Sequence, residues 1–496
     1  MQAKATNYKS IFKATSIFGG VQVFNILITL IRGKAVALLI GTAGMGLNGL
    51  FLSSLNLIKS ISSLGIAESA VRDISKAHAS NDDAEIGKTF TVFKRWIWIT
   101  AALGILITIG FSPLLSQFSF NSYAHTLDYI WLSVTFIFGA LTGGIYTLLR
   151  GTRQLKYLAQ ANIYGGVIGL LVALPIFYFY GIKGVVPAII ITAIANYFVS
   201  LYFKSKIQFT PVAINWKETL QLGKPMVQLG ISLTFINLLA ALVAFLLNAF
   251  ISKTGTLSDV GLYNAGLAIV DGYVGMVFTA MATDYFPRLA GVIGEESKWK
   301  QLVNEQAELV LIILSMVLVL LISTTPILIR ILLSKEFIAA QDFILWAVLA
   351  IPLKGLVWVL GFIILAKGNN KLFLIVEVIA NVLVLIFNIL FYKYYGLIGL
   401  GISLLISYAI VTVMMLSVLK VKYNFQFFKG VYGILLFSML SLALCISSIY
   451  GFGYPKAYFF QALIVVITLG YSLYELNRRM NLKEILVKFK SKLSKK

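Results

Sequence analysis

Runs of about 20 mostly apolar residues, the length that crosses a bilayer as a helix, recur fourteen times in this chain and leave little between them. They cover residues 17–40, 47–67, 96–115, 129–149, 158–180, 184–203, 226–251, 260–286, 309–325, 343–366, 373–392, 397–419, 431–450 and 458–476. Inside hydrocarbon a segment must satisfy its own backbone polar groups, which a single run does only as a helix. The pattern therefore predicts an all-α polytopic membrane protein with 14 transmembrane helices. The largest connections, around 81–85 and 205–224, are too short for a soluble domain. Only 12% of the 496 residues are charged and 59% are hydrophobic, against about 25% charged in soluble chains. A stock of 66 aromatic residues (35 Phe, 24 Tyr, 7 Trp) suits interfacial belts.

The net charge of +22 raises a nucleic-acid reading, and the placement of the charges removes it. With the N-terminus inside, the eight inner segments carry 31 of the 41 Lys and Arg residues and the seven outer loops carry six. No outer loop exceeds any inner segment. This is the asymmetry that orients helices in a bilayer, with anionic inner-leaflet lipid as the basic face's natural neighbour. The expected location is a bacterial inner membrane, crossed many times, with both termini cytoplasmic. Lys4, Lys9 and Lys13 precede the first run with no small-residue cleavage site behind it, so that run reads as a retained helix rather than a signal peptide. Cys445 alone gives no disulfide framework, and His78 and His125 lie in connecting segments. No metal site, cofactor or catalytic group is expected.

A weak repeat divides the chain. Leu149-Arg150-Gly151, a helix, and Phe179-Tyr180-Gly181-Ile182-Lys183-Gly184 are echoed by Ala366-Lys367-Gly368, a helix, and Tyr394-Tyr395-Gly396-Leu397-Ile398-Gly399, at offsets of 217 and 215. That pairs helices four to six with ten to twelve in the same orientation. It predicts two six-helix lobes related by a parallel pseudo-twofold, 1–207 and 208–424, with helices 13 and 14 and a basic tail (425–496) appended. Transporters of this plan bind substrate between the lobes.

Four cations fall inside spans: Arg32, Lys34, Lys59 and Lys354. Each costs about 2.5–3.5 kcal/mol on insertion scales and marks function by default. Arg32 and Lys34 are separated by about 200° of helix. Lys34 is near enough to the outer end to snorkel; Lys59 and Lys354 read as mid-helix. The acids are fewer. Asp271 is mid-span and Glu377 lies one turn inside its helix, both candidates for ion coupling or charge balance. Asp284 and Arg288, spaced i,i+4, read as a structural pair. A cavity holding these groups is net positive, and Arg and Lys give phosphate charge-assisted bonds. Such a cavity suits an anionic substrate and not a drug cation.

Local motifs narrow the reading. Gly41-Thr42-Ala43-Gly44-Met45-Gly46-Leu47 resembles the GxAGxG segment of bacterial polysaccharide-transport flippases. The run from Asp259-Val260-Gly261-Leu262-Tyr263 through Asp271-Gly272-Tyr273 to Tyr285-Phe286-Pro287-Arg288-Leu289 resembles helix eight of that group. Lys354-Gly355, Gly361-Phe362, Ala366-Lys367-Gly368 and Val376-Glu377-Val378 are similar to helices ten and eleven of Wzx-type translocases for O-antigen and enterobacterial common antigen. The resemblance is scattered over residues 17–420. It implies the fold of the multidrug/oligosaccharidyl-lipid/polysaccharide exporter superfamily and the flipping of an undecaprenyl-pyrophosphate-linked oligosaccharide to the periplasmic leaflet. It also implies polysaccharide polymerase and chain-length machinery as partners. The extra helix pair departs from the twelve-helix translocases and leaves a peptidoglycan-precursor flippase open, in which the last two helices help form a groove for the lipid tail.

On this reading Arg32, Lys34, Lys59 and Lys354 bind the pyrophosphate, and alternating access moves the sugars. No nucleotide-binding motif is present, so ion gradients or the membrane potential are the expected drive. A multidrug antiporter is the rival of the same class, opposed by the cavity's sign. A membrane polymerase or ligase would carry catalytic groups on a sizeable outer loop, and these loops are short. A scaffold without transport would have no use for four intramembrane cations.

Overall fold

The computed structural model describes residues 2–80, 82–207 and 212–480. They form α1 (Gln2–Ser62), α2 (Ile66–Ala79), α3 (Asp83–Phe120), α4 (Thr126–Leu132), α5 (Thr135–Gly151), α6 (Leu155–Tyr180), α7 (Val185–Lys204), α8 (Trp216–Thr254), α9 (Leu257–Val292), α10 (Glu296–Leu332), α11 (Gln341–Ala366), α12 (Asn370–Tyr423), α13 (Lys429–Phe452) and α14 (Lys456–Met480), with 3-10 turns at Gly181–Gly184 and Lys335–Ala340. No strand occurs among the described residues. The side chains of Lys4, Lys9 and Lys13 and the basic tail from residue 481 lie outside them.

Among the described residues eleven stretches are long and apolar enough to cross a membrane; Leu155–Lys204 and Asn370–Tyr423 each contain two of the expected spans, and Ile28–Ser62 contains most of the first two. The chain thus supplies the fourteen crossings, though not as fourteen separate helices. α1 carries the first two, broken at Gly41 (φ 63, ψ −167), and α12 carries the eleventh and twelfth, broken at Gly396 (φ 59, ψ −142). That backbone region is essentially open to glycine alone. One residue reverses the chain where a loop was expected.

The helices also outrun their apolar cores. α3 begins at Asp83, α8 at Trp216 and α10 at Glu296, ten or more residues before hydropathy detects them. Asp82 Oδ1 caps α3 by accepting from the Ala84 and Glu85 amides, and Asn215 Oδ1 caps α8 by accepting from Glu218 N at 2.7 Å. Such caps occupy donors that a helix start leaves free. The second expected span ends early. Leu64 and Gly65 both take positive φ, and α2 follows as an amphipathic helix that buries Ile66, Ala70 and Ile74.

The repeat is visible in the backbone. Thr152 N donates to Leu148 O, Arg153 N to Arg150 O and Gln154 N to Leu149 O; Lys367 N donates to Ile363 O, Gly368 N to Leu365 O and Asn369 N to Ile364 O. Each bond recurs 215 residues later. Arg153 (φ 56) and Gly368 (φ 70) share a left-handed turn, and Gly181 (φ 54) matches Gly396. The true counterpart of Gly368 is therefore Arg153 rather than Gly151, which corrects the first offset from 217 to 215. Phe179 and Tyr180, 77% and 67% exposed, match Tyr394 and Tyr395, 73% and 63% exposed, as interfacial aromatics do.

Two compact units result: 1–262 with 332–336, and 263–331 with 337–496. In the first, Phe51, Tyr129 and Phe136 centre the core, and Tyr129 Oη sits between Ser54 Oγ (2.8 Å) and Ser119 Oγ (2.9 Å). Two glycine crossings lock α1 and the turn after it there. A Cβ on Gly46 would collide with the Leu257 carbonyl, and one on Gly65 with that of Gly230. Small residues of this kind let helix backbones touch where lipid gives no hydrophobic drive. At its other end α8 packs on α3: Lys88 pairs with Glu218 at 2.8 Å, Arg95 donates to Thr219 Oγ1 at 2.7 Å, and Trp96 fills the space left by Gly223. In the second unit α11 is buried along most of its length.

Candidate functional site

The second unit holds the better-defined polar group. On α9, Asp271, Phe278 and Tyr285 recur every seventh residue, two helical turns apart on one face. On α11, Lys354, Trp358 and Phe362 recur every fourth. The two stripes meet. Phe278 stacks on Trp358 with ring centroids 5.2 Å apart, Tyr285 lies 5.5 Å from Phe362, and Tyr285 Oη donates to Val359 O at 3.2 Å. Gly355 fits α11 against α10, where a Cβ would come within 2.9 Å of Leu314. This aromatic packing fixes the end of the stripe where Lys354 Nζ donates to Asp271 Oδ1 at 3.2 Å. The Lys354 side chain is 33% exposed and that of Asp271 56%. Tyr408 of α12 presents its ring 6.0 Å from the same ammonium. The pair brings a cation, a carboxylate and an aromatic face together at the apolar middle of α11.

The first unit carries the remaining cations on α1. Arg32 and Lys34 are half-buried. Lys59 is exposed and sits in the last turn of α1, not at mid-helix. The reason is the break at Leu64 and Gly65, which ends the helix that the apolar run continues through. Among the described residues no acid lies within ion-pair distance of Arg32 or Lys59. Glu377 of α12 is half-buried, and its backbone carbonyl accepts from Asn381 Nδ2 at 2.9 Å. The structure thus pairs Lys354 with Asp271 and, among the described residues, shows no such partner for Glu377. Asp284 and Arg288 form the expected i,i+4 pair at 3.3 Å.

Three features escaped sequence reading. The GxAGxG segment and the start of helix eight are one contact: Thr42 Oγ1 donates to Ser258 Oγ at 3.1 Å, and Gly261 approaches the Thr42 carbonyl too closely for a Cβ. A cavity of about 560 Å³ opens beside the Gly41 break, lined by residues 37–43 and 334–336, and none of the six candidate residues reaches it. In the second unit, Arg479 bonds Glu308 at 2.7 Å and also pairs with Glu475, which ties α14 to α10. The i,i+4 spacing of Glu475 and Arg479 at the end of an apolar run was the available signal.

Residues 35–342 match the family described as "Polysaccharide biosynthesis protein". The lipid III flippase of Escherichia coli K12 is 20% identical over 397 residues, covering 77% of this chain and 91% of that protein. Among solved structures, the lipid II flippase MurJ in an inward closed conformation superposes with a TM-score of 0.65 at 15% identity, over 94% of this chain and 99% of that one. An inward-facing multidrug transporter of the MATE family, in the MOP superfamily, gives 0.61 at 13% identity over 85% and 94%. The chain belongs to the polysaccharide biosynthesis protein family, on the membrane fold that these flippases and multidrug transporters share.

Proposed function

We propose that this protein is a flippase for an undecaprenyl-pyrophosphate-linked oligosaccharide, moving it from the cytoplasmic to the periplasmic leaflet of a bacterial inner membrane by alternating access. The observation that carries the reading is the Lys354–Asp271 pair. The pyrophosphate displaces Asp271 from Lys354, because two phosphates offer more charge and more acceptor oxygens than one carboxylate. Asp271 is then released to take up a proton or a cation, which couples substrate binding to an ion gradient. Arg32, Lys34 and Lys59 are proposed ligands of the same substrate, and Glu377 a second charge-balancing acid. The division into lobes at 1–207 and 208–424, the cytoplasmic termini, and a polymerase with chain-length machinery as partners belong to the same proposal. O-antigen units and peptidoglycan precursors both present this pyrophosphate, and the sugar remains open between them.

The test is flipping of a fluorescent polyprenyl-pyrophosphate disaccharide in proteoliposomes. Wild type should protect it from a membrane-impermeant quencher, and Lys354→Ala should not. A normal rate in Lys354→Ala sinks the reading. One observation favours multidrug export instead: Asp271 shares its face of α9 with Phe278, two turns on and stacked on Trp358, and an acid on a face lined with aromatic rings suits a cation. Efflux of a lipophilic cation that depends on Asp271, without glycolipid flipping, decides for that rival.

A further inference from the structure

A groove between α6 and α7 is used by none of this. Gln160, Tyr164 and Ile168 stand on one face of α6. Phe198 and Tyr202 face them from α7, with Lys206 just beyond its end, around a cavity of about 570 Å³. Its floor is narrow because Gly165 and Gly169 let α7 in: a Cβ on Gly165 would lie 2.6 Å from Asn196 Oδ1, and one on Gly169 3.0 Å from Thr192 Cγ2. The rims are rings left open to the surroundings, with Tyr164, Phe198 and Tyr202 51%, 60% and 59% exposed. Tyr164 stacks on Phe203 with centroids 5.9 Å apart, and Lys206 Nζ lies 4.5 Å over the Tyr202 ring. No lining residue is acidic, and the same end of the hairpin exposes Arg153 and Lys156.

The geometry points to a binding site for one acidic phospholipid, its phosphate on Lys206 and its glycerol and upper acyl chain between Tyr164 and Phe198. Gln160 to Ile168 is eight residue steps, about 12 Å of helix, enough for a headgroup and the first part of a chain. The repeat supplies an internal control. The residues 215 positions on from Tyr164, Phe198, Tyr202 and Lys206 are Ile379, Val413, Ser417 and Val421. The backbone is the same, yet the second hairpin carries neither rings nor a cation there, so the groove's chemistry does not follow from the hairpin itself. The inference rests on the chain's spanning a membrane and not on which substrate it moves.

The experiment is native mass spectrometry of the delipidated full-length protein with one added lipid. Phosphatidylglycerol should be retained at one copy per chain, about fivefold over phosphatidylcholine, the effect of one basic residue at a membrane surface. Lys206→Gln should remove that preference and Lys206→Arg should keep it. The double variant Tyr164→Ile/Phe198→Val, which copies the other hairpin, should lower retention of both lipids. Glycerol phosphate at the same concentration should not compete, since it lacks the chain the rims hold. Equal retention of the two lipids by wild type, an undiminished preference in Lys206→Gln, unchanged retention in the rim variant, or competition by glycerol phosphate would each overturn the site. Because no transported substrate is present, none of these outcomes bears on flipping.

Discussion

The hairpin of α6 and α7 and the hairpin within α12 place the same turns, the same hydrogen bonds and the same positive-φ residues 215 positions apart, yet they are filled differently. In the first, Ala173 and Ala188 are buried. Their counterparts in the second are Asn388 and Ser403, also buried, with Ser403 Oγ donating to Asn388 Oδ1 at 2.6 Å. Where the first has Ala193, the second has Tyr408, beside Lys354. At these positions the first carries rings and a lysine on its outer groove and alanine within, beside buried Thr192 and Ser200. The second keeps aliphatic groups outside and polar groups within. Backbone was held constant while chemistry diverged, which is how one scaffold takes two tasks.

The largest effect is expected where that second interior meets the proposed substrate. Lys354→Ala should lower glycolipid flipping about tenfold or more, the order for losing a charge-assisted contact of about 1.5–3 kcal/mol. Asp271→Asn should slow turnover while substrate binding stays or tightens, because Lys354 then lacks its competitor. Flipping assays with parallel binding measurements separate the two. An Asp271→Asn protein that turns over normally would leave this acid a passive partner.

Next in size is the shared backbone. Gly184 packs against the Ile176 carbonyl, where a Cβ would lie 2.8 Å away, and Gly399 against the Phe391 carbonyl more closely still. Gly184→Val and Gly399→Val should each cost about 1–3 kcal/mol by overpacking, with Gly399→Val the worse, read as a drop in melting temperature in detergent. Valine tolerated at one position and not at the other would mean the turns are alike only in outline.

The smallest effect sharpens the contrast inside the hairpins. Ser403→Ala should cost about 0.5–1.5 kcal/mol, since buried Asn388 loses its donor. The double variant Asn388→Ala/Ser403→Ala, matching Ala173 and Ala188, should regain part of that. A double variant no more stable than the single one would show that the polar pair is not what the second hairpin needs.

Much of this was legible beforehand. Fourteen crossings follow from hydropathy because charge or glycine bounds each apolar run, and the repeat is marked by Gly181 and Gly396, whose backbone no other residue replaces easily. Lys354 and Asp271 were singled out because charge in an apolar run is conspicuous. Their pairing was hidden, since it depends on stripes of different period, every seventh residue on α9 and every fourth on α11. Lys59 was misplaced for a plainer reason. Hydropathy does not register the turn at Leu64 and Gly65, both apolar or neutral on any scale. The α6–α7 groove was missed because rings on a spanning helix look like ordinary lipid-facing residues until Gly165 and Gly169 show how close the helices stand.

The break at Gly396 also bears on how the chain is made. Its two halves are joined through a single residue, so no free loop exists to be carried across ahead of the second helix. The 54 residues of Asn370–Tyr423 must therefore enter the bilayer as a pair, the first half waiting at the insertion machinery until the second has been synthesised. Lengthening that turn by a few polar residues should let the halves enter one at a time, and a glycosylation site placed in the added loop would report the order.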